Sequence, residues 1–275
     1  MSLAKRITPL FLRRLEKTYP ATHNPNLWKN PWYLLASVAF SASNEPEGVP
    51  IVFQHAIENL KSQKERMVLA RKTREALFQS GFTSGYSKAI NGLVALDAVM
   101  PEGLKEREPS RVTPKSIADH AEAGKAFFQQ LHGDSAKEVQ GLLDRVYPDL
   151  GWFSSTIGYG LVHSSPAVSE DPATRNTVVD TTTNTALTPL ETSYVMIAAL
   201  IASDTPRQLN WYFAGARRAG ASVEDVKLVR EMVMRCGKLV GLHWKHGVPA
   251  PSPSVRKDNP SGRYTLLRPQ GGKEK

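Results

Sequence analysis

The chain of 275 residues has a single cysteine, Cys236. That scarcity excludes an intramolecular disulfide, a CxxC redox pair and any metal site built on several thiolates. Cys236 lies in a strongly helical pattern, where the expected role is a small buried hydrophobe. Long apolar runs are also missing. The longest candidate, residues 194–202, is too short to span a bilayer and reads as a buried helix segment. Strand signals are scarce: Val178-Val179 and the run 264–267 are too short to found a sheet.

The body of the chain has no excess of charge. The net charge of +9 sits at the ends: residues 1–20 carry five Lys or Arg against one Glu, and residues 241–275 carry seven against two acids. A neutral body offers no basic stripe for nucleic acid. Basic ends point instead to an acidic protein complex, an anionic membrane or an import receptor. The first 17 residues alternate basic side chains with Leu, Ile and Phe and have one late acid, a pattern compatible with a mitochondrial transit peptide. The competing reading is an ordinary first helix packed on its own domain. The mitochondrion is therefore the expected compartment, with cytoplasm or peroxisome as alternatives. The last residues, Gly-Lys-Glu-Lys, match neither a peroxisomal nor an endoplasmic-reticulum retention address.

Helical periodicity is abundant. A buried helix is predicted from Pro31 to Phe40, and amphipathic helices from Ile51 to Leu77, with a second start at Ser62-Gln63. Gly81 and Gly85 bracket a bend, and Tyr86 to Val99 gives a further helix. Another follows Thr113-Pro114, with Ile117, Ala121, Gly124 and Phe128 along one face, and Ser135 with Glu138 opens the next. Residues 148–187 are the least regular part. Three capping signals then follow one another at Thr188-Pro189-Leu190-Glu191, Thr205-Pro206-Arg207-Gln208 and Ser222-Val223-Glu224-Asp225, the last a weaker variant with Asp in place of Glu or Gln. The sequence thus divides into a basic arm or transit-like helix (1–22), an all-α domain (23–246) and a basic tail rich in Pro, Ser and Gly (247–275). The stretches 51–100 and 191–241 each place a helix, a glycine-containing break and a further helix, which suggests two related halves.

The block from Glu191 to Ala202 followed by Gln208 to Val226 resembles the carboxymuconolactone decarboxylase family, whose all-helical fold is shared with the alkylhydroperoxidase AhpD. The segments Arg74–Leu77, Gly81-Phe82 and Ala89–Leu93 resemble the first half of eukaryotic, mostly fungal members. The likeness spans residues 50–242 and is most specific over 188–242. It implies an AhpD-like helical bundle, a homo-oligomer and a lyase acting on a small acidic lactone or related metabolite, with no cofactor and no metal. Two departures matter. The family's histidine falls on Tyr212, and the peroxidase branch's CxxC pair is missing from 206–218. A phenol near pKa 10 is no half-ionised base at neutral pH, though it can donate a hydrogen bond to a developing oxyanion.

The candidate catalytic residues are Tyr212, Glu191 and His163, as hydrogen-bond donor, acid and base. Arg217, Arg218 and Gln208 are candidate substrate contacts. Each has a structural alternative: Glu191 completes a capping box, Tyr212 is a buried hydrogen-bonded tyrosine, and Arg217 and Arg218 complement a helix C-terminus. His243 and His246 share a zinc half-site's spacing only superficially, because no third ligand is near in sequence. Two readings remain open: a decarboxylase-like enzyme with a non-standard site, or a catalytically inactive scaffold or accessory subunit that binds through its basic termini.

Overall fold

The computed structural model describes residues 3–19, 30–109, 111, 115–164, 187–245 and 247–252. Among these the secondary structure is entirely helical. In chain order the helices are α1 (Leu3–Arg6), α2 (Pro9–Glu16), α3 (Trp32–Ala42), α4 (Gly48–Glu58), α5 (Gln63–Ser84), α6 (Tyr86–Asp97), α7 (Ile117–His132), α8 (Ala136–Val146), α9 (Pro148–Phe153), a π-helix (Ser154–His163), α10 (Pro189–Ala202), α11 (Leu209–Arg218) and α12 (Val223–Leu239).

Two helices lie at the centre because they are apolar on every side. All of α3 is buried, as is α10 from Thr192 to Ala202. They pack on each other, and α5 and α12 pack against both. A second group of helices covers one side of α5 and α11: α7 lies along the π-helix and also meets α11. Gly124 permits the close approach of α7. A Cβ there would stand 1.9 Å from the Ser155 carbonyl oxygen and 2.8 Å from the Gly160 nitrogen, both backbone atoms. The glycine that weakens this helix in isolation is therefore required by its packing.

The capping chemistry differs between connections. The Ser62, Thr188 and Ser222 boxes all form, each with the hydroxyl accepting from the third helical amide and the acid reaching back. Thr205 forms no box: its hydroxyl donates to Leu200 O, and the chain enters α11 through a 3-10 turn at Pro206–Gln208. The reason lies in the preceding helix. Asp204 adopts a left-handed φ of 53°, and Thr205 N–H closes the end of α10 on Leu200 O at 3.0 Å. Thr205 is thus already the second residue past the C-cap Ser203 in a Schellman end. At the next connection Gly220 and Ala221 perform that closure, and the extra residue, Ser222, is free to cap α12.

Other expectations are corrected by packing. Gly81 sits inside α5 without a bend, and the break is at Gly85, with φ of 113°. Ile117 is 57% exposed, and the buried side of α7 runs through Gly124, Phe128, Leu131 and His132. Ser135 precedes α8 but makes no side-chain cap bond. Residues 148–163, read as irregular, are α9 and the π-helix. The rest of that stretch up to 186 lies outside the described residues.

The N-terminal segment is no free arm. Leu3, Ile7, Leu12 and Leu15 belong to the core, Arg6 donates to Leu239 O at 2.8 Å, and the Tyr19 hydroxyl meets that of Tyr194 at 3.3 Å. Lys5, Arg13, Arg14 and Lys17 face outward. Trp244, Val248 and Pro249 also lie against the body: Trp244 Nε1 donates to Ile201 O, and Arg230 donates to the carbonyls of Val248 and Pro249. The expected basic tail from 253 onward lies outside the described residues. No described helix is long and apolar enough to cross a membrane.

Candidate functional site

Two buried polar clusters lie beside α5 and the π-helix. The first follows from helical spacing. Lys72, Glu75 and Gln79 recur at i, i+3 and i+7 on α5 and so share a side of it. Lys72 Nζ donates to Glu191 Oε1 at 2.5 Å. The other oxygen, Oε2, accepts from Thr188 N at 2.9 Å and Thr188 Oγ1 at 3.0 Å. Gln79 donates to Glu75 Oε1 at 2.8 Å and accepts from Thr192 Oγ1 at 3.1 Å. The Arg111 guanidinium grips both Glu75 oxygens, donates to the carbonyls of Leu161 and Val162, and lies 4.5 Å over the Phe78 ring. It thereby ties the end of the π-helix to α5.

The second cluster is a chain of neutral groups. His132 Nε2 meets the Tyr159 hydroxyl at 3.2 Å, and that hydroxyl meets the Tyr212 hydroxyl at 3.1 Å. Phe128 stands edge-on to Tyr159 with centroids 4.8 Å apart, and Trp211 edge-on to His132 at 5.8 Å. Burial, helped by the Arg218 charge, pushes the His132 pKa down to about 3. Burial raises Tyr212 and holds Tyr159 well above the ordinary phenol value. Between the clusters sits His163, the last π-helical residue, edge-on to Phe82 at 5.5 Å and to Tyr159 at 5.4 Å. Burial and the Arg111 charge lower its pKa to about 4, against an opposing effect of the Gln79 backbone. Neither ring nitrogen makes a hydrogen bond of good geometry.

Of the six residues singled out from the sequence, Tyr212 and His163 come together through Tyr159, which bonds one and packs on the other. Glu191 belongs to the other cluster, held by its own cap and by Lys72. Arg217 donates to Ala221 O at 3.1 Å and Arg218 to Leu131 O at 2.7 Å, so both guanidiniums satisfy chain carbonyls. Gln208 is half-buried before α11 and makes no side-chain cap bond. Lys72, Glu75, Arg111, His132 and Tyr159 were not selected from the sequence. The spacing of 72, 75 and 79 on one helix was a usable signal for the first two. Nothing local joins Tyr159 to Tyr212, which are 53 residues apart.

The groups gathered here are neutral hydrogen-bonding groups, and the lowered pKa values of His132 and His163 make weak bases of them. At neutral pH both histidines are uncharged and the tyrosines keep their protons, so none has the half-ionised state that suits an acid or base. Tyr212 is 7% exposed and spans from α11 to the π-helix. A shallow surface crevice nearby, between Phe127, Leu131, Ser193 and Gly215, has no room to seat a water molecule. None of the six predicted residues lines it. Cys236 is fully buried, and burial pushes its thiol up to about 12. Among the described residues no group of three or more His, Cys, Asp or Glu comes together as metal ligands. His246 lies outside them.

No family model matches this chain, and no solved structure matches it. Among curated proteins it is similar to Peroxisomal protein 2 of Saccharomyces cerevisiae, with 24% identity over 278 residues covering 80% of this chain and 92% of the relative. It is also similar to Peroxisomal protein 2 of Schizosaccharomyces pombe, with 27% identity over 213 residues covering 78% and 88%. These relatives overturn the mitochondrial location expected from the N-terminal charge pattern. The alternation that suggested a transit peptide is the amphipathic spacing of α1 and α2, whose apolar side packs on the domain.

Proposed function

We propose that this protein is a peroxisomal accessory or scaffold protein without catalytic activity, built on a carboxymuconolactone decarboxylase-like bundle of two related helical halves. One observation carries the reading. The groups that would serve chemistry are engaged in holding the fold: Glu191 by Thr188 and Lys72, Arg217 and Arg218 by backbone carbonyls, Tyr212 by Tyr159. The names of the two relatives support the compartment. The basic N-terminus contributes as a folded surface: Lys5, Arg13, Arg14 and Lys17 point outward while Leu12 and Leu15 anchor α2. Four like charges on a folded surface suit an acidic partner, and the contact would weaken with salt.

The test combines location and capture. The tagged chain should coincide with labelled peroxisomes, and partners recovered at low salt should be lost with R13E/R14E/K17E, whose helical spectrum stays unchanged. Uniform cytosolic fluorescence, or capture indifferent to those charges, would count against the proposal.

A second reading, a lyase acting on a small acidic lactone, is favoured by one observation, the buried His163 imidazole whose ring nitrogens make no hydrogen bond of good geometry. It requires turnover of such a lactone by the purified protein and its loss in H163A. Turnover that H163A leaves intact would remove His163 from that reading.

A further inference from the structure

We infer that the chain self-associates through an apolar face formed by the α5–α6 hairpin and α9, with a second copy of itself as the occupant. Tyr86, Ile90 and Val94 recur at i, i+4 and i+8 on α6 and are 74%, 43% and 65% exposed. The opposite side of α6 is fixed by close packing. Gly81 of α5 lies against Ala89, and Gly92 lies against Ser41 of α3 and Leu77 of α5. With those positions turned inward, the antiparallel hairpin directs 86, 90 and 94 to the same outer side as Phe78 and Phe82 of α5. Phe82 stacks on the exposed ring of Phe153 at 5.7 Å, which extends the face across to α9.

Size decides between a stray patch and an interface. These six residues leave on the order of 600 Å² accessible, so a copy seated on the same face would bury about 1,000 Å² or more in total, the least a specific interface needs. An apolar area of that extent stands at the upper end of the roughly 300–600 Å² that the largest patch on a monomer covers, and such patches are often functional. Charge then selects the occupant. On α6 the exposed polar residues are Ser87, Asn91 and Asp97, while Lys88 is half-buried and donates to Ala42 O. On α8 and α9 the exposed charges are Lys137, Glu138, Asp144, Arg145 and Asp149, of both signs and nearly balanced. Arg111 lies over Phe78 but is tied to Glu75, so no exposed flank of Lys and Arg accompanies the apolar stripe, as it would on a helix that lies on an anionic membrane. A nearly neutral apolar face with an i, i+4, i+8 ridge can meet its own copy about a two-fold axis without like-charge repulsion. The inference does not depend on whether the chain is catalytic.

The experiment is sedimentation velocity on the full chain at micromolar concentration, with I90E and V94E as separate variants and L10E, on the exposed side of α2, as the control. The expected result is a dimer for the wild type and for L10E. I90E and V94E should sediment as monomers, with a dissociation constant raised roughly thirtyfold or more and an unchanged helical spectrum. A wild type that stays monomeric, or a dimer that survives both variants, overturns the inference. Flotation of a monomeric wild type with neutral lipid vesicles, lost in I90E, would assign the face to a membrane instead and overturns it as well. Peroxisomal location, read separately, tests the proposed function and is not affected by this outcome.

Discussion

The cluster around Lys72 and Glu191 and the chain His132–Tyr159–Tyr212 occupy neighbouring parts of one core, yet they solve burial in opposite ways. The first keeps charges and surrounds them with partners: the Glu191 carboxylate accepts from Lys72 and from the Thr188 cap, and Glu75 is gripped by Arg111. The second has no carboxylate among its members. Burial lowers His132 and raises both tyrosines, so the groups are held neutral and joined only by hydroxyl and imidazole hydrogen bonds. The difference teaches what burial demands: a charge survives in a core only where counter-charge and donors arrive together, and otherwise the group gives up its charge. It also bears on function, because charges fully occupied by partners and neutral groups without half-ionised states are both poor starting points for proton transfer.

Removing one member of the charged cluster should have the largest effect. E191A deletes the N3 carboxylate of the α10 box and leaves Lys72 buried without its partner, at a cost of about 2–4 kcal/mol in urea unfolding. The double variant K72M/E191L should recover much of that loss, leaving about 1 kcal/mol for the cap. Equal costs for the single and double variants would show that the pair is not the source of the penalty.

Acid should distinguish the clusters next. His132 and His163 have folded pKa values near 3 and 4, below the unfolded value of about 6.5. The unfolded chain therefore binds protons first. Stability attributable to these residues is fully present above pH 6.5 and falls as the pH drops towards 4, with a slope of up to about 1.4 kcal/mol per pH unit for each histidine. Urea midpoints measured from pH 7 to pH 4 should decline more steeply for the wild type than for H132N/H163Q. Parallel profiles would contradict the assignment.

Y159F comes third. It leaves the His132 nitrogen and the Tyr212 hydroxyl without their shared partner at a cost of about 1–3 kcal/mol. Y212F removes only the end of the chain and should cost less. T192V should have the smallest effect, about 0.5–1.5 kcal/mol, since Gln79 keeps its bond to Glu75. A larger loss for T192V than for Y159F would reverse the ranking on which the comparison rests.

Much of the fold was legible because its signals are local. Pro31, the Ser62 start and the Thr188 and Ser222 caps each mark a helix within four residues, and period 3.6 marks the rest. Thr205 shows where local reading ends. Its motif is stronger than that of Ser222, yet it forms no box, because the closure of α10 already occupies its backbone. The site was legible residue by residue but not as an arrangement. Tyr212, His163 and Glu191 were selectable by type, whereas the separation of Glu191 from Tyr212 and the role of Tyr159 depend on contacts between distant segments. The N-terminal helix shows the same limit: its charge alternation fits a transit peptide or an amphipathic helix equally well, and only its partners tell the two apart.

The sequence by itself determined an all-helical fold class, the positions of most helix starts and the absence of a CxxC pair or an intramolecular disulfide, since capping, periodicity and cysteine count need no knowledge of neighbours. Tertiary structure alone decided which polar groups keep their charge, which glycine admits another backbone, and whether the basic N-terminus is an arm or part of the core. Those outcomes depend on desolvation and close approach, and both arise only when residues far apart in the chain are brought into contact.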